Sequence, residues 1–462
     1  MNDVQQYIQQ HKDRFLEELF TLLRIPSIST AGEHDTDTKR CAVQVQEYLV
    51  HAGLDNCRLY PTDGHPIVYA EKIIDDAKPT VLVYGHYDVQ PADPLDEWES
   101  DPFEPVVKKT DLHPEGAIFA RGTTDDKGQM FMHVKAVEAM IQTGNLPCNV
   151  KFMIEGEEEI GSPNLIPFIT EHTDLLKSDV IIISDTGMIG RDVPSITVGL
   201  RGISYLDVKV RGARADMHSG LFGGAVVNPI NALCEMIAAL KDEDKRITIP
   251  GFYDKVHLPS DRDRQLMNDA PFDAGEYMNS PGVYGLEGTT GFTTYERTGI
   301  LPTLDVNGIW GGWTGEGSKT IIPAVANAKI SMRLVSEQNH EEITDLFTRH
   351  FKSLAPDSVK VEVHPHHGGN PYVTPTDTPE YRAAARAMRE RFGREPVPMY
   401  EGGSIPIVAK FKEILEVETI LMGFGFDSDG LHSPNEHYGL WNFYTGIETI
   451  PGFYRAYAEG GA

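Results

Sequence analysis

The first candidate for chemistry is a histidine and an acid two residues apart, His86 and Asp88, in the segment GHYD. A histidine that binds a metal ion usually donates its second ring N–H to a carboxylate or a carbonyl group. His86 is therefore a candidate metal ligand, and Asp88 is the candidate that would orient its ring. Taken alone, the motif is also compatible with a surface loop in which the two residues meet by chance.

Four further segments carry acids or a histidine, and two of them have a simpler interpretation when taken alone. The adjacent acids of RGTTDDKG (121–128) could serve only to favour a helix start through the helix dipole. The acids of EGEEEIGS (155–162) could form a solvated turn, although crowded carboxylates are costly without solvent or cations. The other two are SDT (184–186), which follows an apolar run, and the late polar turn LHSPNE (431–436).

As a set, these segments contain the ligand types of a hydrolytic metal site. Two histidines and several carboxylates are typical of centres that bind zinc, manganese or cobalt ions. A second acid beside a metal-binding acid can act as a general base toward a metal-bound water molecule. The candidate residues of the set are His86, Asp125, Glu158, Glu159, Asp185 and His432.

The segments lie among apolar runs that predict the elements of an α/β domain. Strand, helix and strand at the observed lengths indicate α/β crossovers. Ligands often bind beyond the carboxyl ends of such strands, and three of the motifs follow a strand directly. The runs predict helices at 4–22, 38–52 and 128–143, and strands at 67–70, 80–84, 150–154 and 180–184.

The pattern changes after residue 200 and returns near residue 373. Alternating apolar and polar residues predict half-exposed strands at 203–210, 328–334 and 359–364, with helices at 229–240 and 341–354. Residues 245–320 are rich in Gly, Pro and Asp and are expected to be mostly loop. Thr378-Pro379 predicts a helix start, and 418–422 a further strand. The chain is therefore predicted to contain a discontinuous α/β domain, 1–200 and 373–462, interrupted by an α+β domain, 201–372.

Composition excludes several classes of partner. Lys and Arg total 41 against 69 Asp and Glu, giving a formal charge of −28, which argues against nucleic acid and anionic membranes. The four cysteines form no CxxC pair, so neither a disulfide framework nor a cysteine zinc site is indicated. The polar N-terminal segment lacks the apolar core of a signal peptide, and we expect a cytoplasmic protein.

Beyond these separate motifs, the sequence resembles the co-catalytic zinc peptidases. This family includes carnosinase, cytosolic nonspecific dipeptidase, aminoacylase, glutamate carboxypeptidase G and succinyl-diaminopimelate desuccinylase. The resemblance is closest to the dipeptidase and carnosinase branch and runs from about residue 20 to the C-terminus. The matching segments are GHYDVQPA (85–92), WESDPF (98–103), ARGTTDDKG (120–128), EGEEEIGS (155–162), SDT (184–186), GLRG (199–202), MHSG (217–220), GSKTIIP (317–323), MRLV (332–335), EGGSIP (401–406) and LHSPNE (431–436).

The resemblance implies a role for each candidate residue. Asp125 would bridge two divalent metal ions, with a cis peptide bond to Asp126. One ion, zinc or alternatively manganese or cobalt, would be completed by His86 and Asp185, and the other by Glu159 and His432. Glu158 would be the general base, and Asp88 would hold His86. The central sheet would be mixed, mostly parallel and covered by helices.

The resemblance also assigns residues outside the metal set. The inserted domain would be a lid and dimerisation domain, through which the chain forms a homodimer. His218 would reach the partner's active site and stabilise an oxyanion, although an ordinary loop histidine is the simpler interpretation of this residue alone. Thr320, Arg333 and Ser404 match substrate-binding positions. Arg333 could bind a terminal carboxylate through a bidentate contact, or be a solvated cross-strand charge.

These inferences predict a metal-dependent dipeptidase that acts on small peptides. Dipeptidase-type members usually have Asp where this chain has Asp185, whereas carboxypeptidases and acyl-amino-acid hydrolases usually have Glu. An N-acyl- or N-carbamoyl-amino-acid amidohydrolase that uses the same two metal ions is the alternative enzyme. A regulatory or scaffold protein that binds metal without catalysis is the alternative from another class, and it gives no reason to keep Glu158.

Overall fold

The structure is a computed structural model that describes residues 3–279, 282–403 and 405–461, apart from the side chains of Glu276 and Pro406. The chain divides into two compact units. The first comprises Met1–Val198, Thr374–Met399 and Lys410–Ala462, and the second Gly199–Val373 and Tyr400–Ala409. Residues 400–409, which the sequence placed with the catalytic domain, thus group with the inserted segment. The assignment of catalytic and lid roles to the two units stays a prediction.

The helices of the described residues are numbered in chain order. They are α1 (Asp3–Leu23), α2 (Asp35–Ala52), α3 (Lys127–Gln142), α4 (Leu165–Glu171), α5 (Thr173–Leu176), α6 (Ser219–Phe222), α7 (Pro229–Ala238), α8 (Asp261–Asn268), α9 (Ala274–Asn279), α10 (Thr294–Gly299), α11 (His340–Ser353), α12 (Pro379–Phe392), α13 (Pro406–Leu415) and α14 (Leu440–Ala458).

The strands are numbered in the same way. They are β1 (Asp55–Tyr60), β2 (Ile67–Lys72), β3 (Thr80–His86), β4 (Val106–Lys108), β5 (Ala117–Phe119), β6 (Asn149–Glu155), β7 (Val180–Ile183), β8 (Ser195–Leu200), β9 (Gly202–Arg211), β10 (Met217–His218), β11 (Thr303–Gly311), β12 (Ile321–Ile322), β13 (Val325–Leu334), β14 (Lys360–Gly369), β15 (Tyr372–Val373), β16 (Val397–Glu401), β17 (Thr419–Leu421) and β18 (His437–Gly439).

The first unit is built on a mixed sheet with the strand order β1-β2-β6-β3-β7-β17-β8. Its parallel part is central, because β6, β3, β7 and β17 pair in parallel. The flanking pairs β1–β2, β2–β6 and β17–β8 are antiparallel. The prediction of a mixed α/β sheet is confirmed.

Helix α3 packs in the centre of the first unit. All of its residues except the last two are buried, whereas α1 buries only the stripe of apolar residues that recurs at helical spacing, including Phe15 and Leu19. A helix that is buried all round needs neighbours on every side. Helix α3 therefore begins at Lys127 in the interior, directly after the Asp125-Asp126 pair.

The second unit contains a four-stranded antiparallel sheet with the order β11-β13-β9-β14. Strands β9 and β13 alternate strictly between buried and half-buried residues, as their sequences predict. Their buried faces form a core with α7 and α11, which includes Leu233 and Phe347. The expectation that 245–320 is mostly loop is wrong at β11, because TLDVNGIWG forms a nine-residue edge strand. Its exposed face and its glycines conceal the usual strand pattern.

A small three-stranded sheet in the first unit, β18-β5-β4, joins distant parts of the chain. His437 lies opposite Phe119, and Gly439 opposite Ala117. This pairing places the turn LHSPNE beside the segment RGTTDDKG, although more than 300 residues separate them in sequence.

Two further expectations concern membranes and cysteines. Within the described part of the chain, no helix combines the length and apolar character that crossing a membrane requires. Cys41, Cys57, Cys148 and Cys234 are all free thiols. The cytoplasmic location stays a prediction.

Candidate metal centre

The carboxyl ends of neighbouring parallel strands bring the predicted metal ligands of the first unit together. Strand β3 ends at His86, which lies opposite Glu155 at the end of β6. Strand β7 ends at Ile183, two residues before Asp185. Because the parallel strands all end at one edge of the sheet, the side chains that follow them converge there.

His86, Asp125 and Asp185 form a first group of candidate ligands with converging donor atoms. His86 Nε2 lies 3.1 Å from Asp125 Oδ1 and 3.7 Å from Asp185 Oδ2. This buried nitrogen makes no hydrogen bond to any atom that the structure describes. A buried, unsatisfied ring nitrogen that faces two carboxylates is what a cation site requires.

Asp125, Glu159 and His432 form a second group, which shares Asp125 with the first. His432 Nε2 lies 2.9 Å from Asp125 Oδ2 and 3.3 Å from Glu159 Oε2. His432 itself has a left-handed backbone, with φ of 59°. The two oxygens of Asp125 thus face different histidines, as expected of a carboxylate that bridges two ions.

The charge balance of the two groups also fits divalent cations. Among the described residues, no Lys or Arg side chain forms an ion pair with Asp125, Glu158, Glu159 or Asp185. Burial opposes protonation of His86, but Asp125, Asp185 and Asp88 still hold its pKa well above the usual value. Asp125 and Glu159 raise the pKa of His432 to about 10. Both rings thus lie in a strongly negative field that metal ions would neutralise.

Glu158 differs from the other acids of EGEEE. The carboxylate of Glu155 accepts hydrogen bonds from Tyr84 and Ser162, and that of Glu157 accepts from the His65 N–H and from Asn164. Glu159 accepts a 2.8 Å bond from the side chain of Gln90. The Glu158 carboxylate has no hydrogen-bond or ion-pair partner among the described residues.

Burial and the nearby acids also shift the protonation of Glu158. Burial raises its pKa to about 8, with Asp185 and Asp125 adding to the shift and His86 opposing it. This carboxylate is therefore the one in its segment that is left available to exchange a proton with a substrate or with water.

Asp88 joins the strand that carries His86 to the segment that carries Glu158. His86 Nδ1 lies 3.1 Å from the carbonyl oxygen of Asp88 and 3.3 Å from its Oδ1. The Asp88 carboxylate also accepts the backbone N–H groups of Glu158 and Glu159, at 3.3 and 3.1 Å. The geometry is that of an outer residue that fixes the ring orientation of a ligand. The second contact, to the acidic turn, has no signal in the sequence.

Glu436 is the main positioning residue that the sequence reasoning missed. Its buried carboxylate accepts backbone N–H groups of Gly122, Thr124 and Asp125, at 3.0, 3.0 and 3.3 Å. Arg121 donates to the same carboxylate at 2.7 Å. Glu436 thus holds the loop that presents Asp125, which leads into a cis peptide bond to Asp126. Glu436 is the last residue of the motif LHSPNE. The motif could be identified from the sequence, but the contacts of Glu436 could not.

Of the predicted residues of the second unit, His218 and Thr320 are neighbours, whereas Arg333 lines a cavity whose lining includes neither of them. His218 is exposed on β10, which pairs with β12, and Thr320 is an exposed residue directly before β12. The His218 Nδ1 accepts the N–H of Gly220 at 3.0 Å, so Nε2 carries the proton of the neutral ring. Arg333 lines a cavity of about 540 Å³ together with Arg201. Ser404 lies outside the described residues.

Comparison with known proteins identifies the family. The sequence pattern of Peptidase family M20/M25/M40 matches residues 82–455. The chain belongs to this family. It is 33% identical to a Cys-Gly metallodipeptidase of Candida albicans, over 98% of this chain and 96% of the relative. It is also 33% identical to the human Beta-Ala-His dipeptidase, over 99% of this chain and 93% of that protein.

Solved structures agree with the fold. The crystal structure of human carnosine dipeptidase 1 matches with a TM-score of 0.75 at 32% identity, covering 99% of this chain and 98% of that one. An M20 family metallo-carboxypeptidase from Sulfolobus solfataricus matches with a TM-score of 0.80 at 31% identity, covering 96% and 99%. The family and the mixed α/β fold expected from the sequence are thus confirmed, as is the class of peptide-bond hydrolase.

Proposed function

We propose that this protein is a metal-dependent dipeptidase that hydrolyses the single peptide bond of dipeptides. The observation that carries the proposal is the unpartnered Glu158 carboxylate beside two ligand groups that share Asp125. The dipeptidase names of relatives that align over nearly the whole chain support the choice of substrate.

Each ligand group would hold one divalent cation, with zinc proposed first and manganese or cobalt as alternatives. His86, Asp125 and Asp185 would bind one ion, and Asp125, Glu159 and His432 the other. When bound, such a pair of ions lowers the pKa of a water molecule and polarises the scissile carbonyl. The set of nitrogen and oxygen donors suits all three metals.

The protein's own groups would then move the proton and orient the ligands. The Glu158 carboxylate would take a proton from the attacking water and deliver it to the leaving amine. Asp88 would keep the His86 ring oriented through Nδ1. Arg333, beside Arg201 in its cavity, would bind the substrate carboxylate, and Thr320 and Ser404 would contribute further substrate contacts.

The proposal includes a homodimer formed through the inserted domain. His218 of the partner subunit would supply the Nε2–H that stabilises the oxyanion of the tetrahedral intermediate. The support from this chain is that His218 is exposed and that its Nδ1 is occupied by the Gly220 N–H, which leaves Nε2–H as its donor.

The decisive experiment measures hydrolysis and metal content together. Cys-Gly, β-Ala-His and other dipeptides are compared with a tripeptide, a longer peptide and N-acetyl and N-carbamoyl amino acids. We expect dipeptide cleavage that chelation abolishes and zinc or manganese restores. Glu158→Gln should lose turnover by roughly 10²–10⁴-fold and keep its metal. The matched control is Glu157→Gln, in the same turn, which should stay active because its carboxylate is already bonded to His65 and Asn164.

Other outcomes would redirect or refute the proposal. Cleavage confined to acylated or carbamoylated amino acids would favour the amidohydrolase that shares this metal site. Release of C-terminal residues from longer peptides would favour a carboxypeptidase, as the name of the Sulfolobus solfataricus structure suggests. Full activity of Glu158→Gln would remove the assigned base.

A further inference from the structure

A second set of histidine and acid side chains in the first unit shares no residue with the predicted catalytic ligands. His113, Asp429 and His437 present donor atoms that all lie within 4.8 Å of one another. His113 and Asp429 are almost fully buried, at 2% and 0% exposure, and His437 is half-buried. We refer to these three residues as the rear cluster. None of them was singled out by the sequence motifs.

Two atoms of the rear cluster are buried without a hydrogen bond to any described atom. They are His113 Nε2 and Asp429 Oδ1, and they face each other at 3.8 Å. This distance is too long for a hydrogen bond. Two atoms that each bind one zinc ion at about 2.0–2.2 Å are at most about 4.4 Å apart, so a single ion can join them. A cation between them would satisfy both groups at once.

The other contacts of the cluster orient its members as metal ligands are oriented. His437 Nδ1 lies 3.0 Å from the carbonyl oxygen of Asn435, so it donates there and leaves Nε2 as a lone-pair donor. The second oxygen of Asp429, Oδ2, accepts the Phe426 N–H at 2.8 Å. The Thr124 hydroxyl lies 3.3 Å from the same oxygen and 2.9 Å from the His437 carbonyl.

The surroundings leave room for the His113 ring and shield it from water. A Cβ atom on Gly439 would lie 2.3 Å from His113 Nδ1 and 2.3 Å from Asn442 Oδ1, so only glycine permits this approach. Phe426 stacks on His113 with ring centroids 5.8 Å apart, and Phe119 stacks on His437 at 4.7 Å. The cluster is thus a polar site with aromatic rings on two sides. Solvent reaches it only from the side of the half-buried His437.

From this geometry we propose that the rear cluster binds one divalent transition-metal ion, with zinc as the best fit to two imidazoles and one carboxylate. Three protein ligands leave a further position for water. Asp429 and His437 bound the turn that carries His432, so the ion would fasten both ends of that turn. It would act as a structural ion, separate from the ions proposed at Asp125.

The test counts zinc in the full-length protein by mass spectrometry after chelation and reconstitution with zinc alone. We expect His437→Gln to bind one zinc per chain fewer than the wild type, and His113→Gln likewise. The matched control is His172→Gln. His172 is also half-buried, stacks on Phe168 at 4.4 Å and bonds through Nδ1 to a carbonyl at 3.0 Å, but it has no rear-cluster ligands around it. The His172→Gln variant should bind as much zinc as the wild type.

A second background separates this proposal from the one at Asp125. In a His86→Ala/His432→Ala protein, one zinc per chain should remain, and zinc should still raise the melting temperature. Adding His437→Gln, a half-buried position that tolerates substitution better than His113, should abolish both effects. Equal zinc content in the wild type, His437→Gln and His113→Gln would overturn the rear-cluster site. So would the absence of any zinc in the His86→Ala/His432→Ala protein.

Discussion

The ligand groups around Asp125 and the rear cluster are made of the same side chains, yet they differ in how they are held. The groups around Asp125 contain three carboxylates and two histidines without a Lys or Arg partner among the described residues. The rear cluster has one carboxylate and two histidines between aromatic rings. The first has the half-buried, unpartnered Glu158 beside it, whereas Asp427, the acid two residues from Asp429, is exposed. The comparison teaches that ligand type alone indicates a metal, while an unpartnered acid held out of solvent beside the ligands indicates catalysis.

The largest expected effect comes from the residue that the two groups around Asp125 share. Asp125→Asn removes a charged ligand from both, so the chain should lose both proposed ions there and peptide hydrolysis should fall below detection. Zinc content and dipeptide turnover are measured on the same sample. Asp429→Asn is the counterpart in the rear cluster. It should lose one ion and keep measurable turnover, because the ligands around Asp125 are all present and only the turn that carries His432 is loosened. Equal loss of activity in the two variants would break the distinction between the clusters.

The next effect concerns the buried pair that holds the Asp125 loop. Arg121→Met leaves Glu436 buried without its cation, and breaking such a pair costs about 3–5 kcal/mol of unfolding free energy. Urea denaturation of the metal-free protein measures this loss. Arg121→Met combined with Glu436→Gln should recover part of the loss, because the uncompensated charge is gone. A loss below about 1 kcal/mol in the single variant would mean that the three loop amides alone stabilise the carboxylate.

A smaller effect is expected from a substitution at Asp88. It tests whether the histidines of the two clusters are oriented by different groups. Asp88→Asn weakens the charged contact to His86 Nδ1, so zinc affinity at the Asp125 groups should fall by about 10–100-fold. Zinc titration against a competing chelator measures the change. Affinity at the rear cluster should stay constant, since His437 is oriented by the carbonyl oxygen of Asn435 and not by Asp88. A parallel drop at both sites would point to a general loss of structure.

The smallest effect is a pH dependence at a buried histidine that has no acid beside it. His133 contacts Ser184 at 2.8 Å, and burial lowers its pKa to about 3. The unfolded histidine takes up a proton below about pH 6.5, so the folded state loses stability as the pH falls through that value. The loss amounts to about 2 kcal/mol at pH 5.

The His133→Gln variant tests this sign. Its unfolding free energy, measured without metal at pH 8 and pH 5, should decline about 2 kcal/mol less than that of the wild type. An identical decline would show that His133 is hydrated or protonated in the folded protein. His432, whose pKa is raised to about 10 by acids, is the opposite case in the same unit.

The helices and strands whose apolar residues recur at a regular spacing were predictable from the sequence. The apolar stripe of α1 and the alternation of β9 each indicate burial directly, because residues that recur at the period of the element lie on the same face and share its environment. Strand β11 was missed because it is an edge strand that is largely exposed, with a register shift near Gly308. The position of β11 in the sheet depends on its pairing with β13, and the sequence of β11 alone does not show that pairing.

The site shows the same division. His86, Asp125 and Glu159 lie in short motifs at strand ends, so residue type and spacing sufficed to propose them, although their assignment as ligands stays a prediction. The rear cluster combines single residues from three places with no motif of its own. Only the pairing of β18 with β5 brings His437 to that part of the fold. Glu436 likewise belongs to a motif that the sequence shows, but its hydrogen bonds to three loop amides arise from tertiary structure and could not be predicted.

The burial of α3 has a consequence for how the protein opens. A helix enclosed on all sides should exchange its amide hydrogens for deuterium only when the whole unit unfolds, whereas exposed turns exchange through small local openings. Asp125 lies two residues before this helix, and His432, with 55% of its side chain exposed, lies on a turn. We therefore expect the two sides of this ligand group to open on different timescales. An ion could enter or leave on the His432 side while Asp125 stays in place.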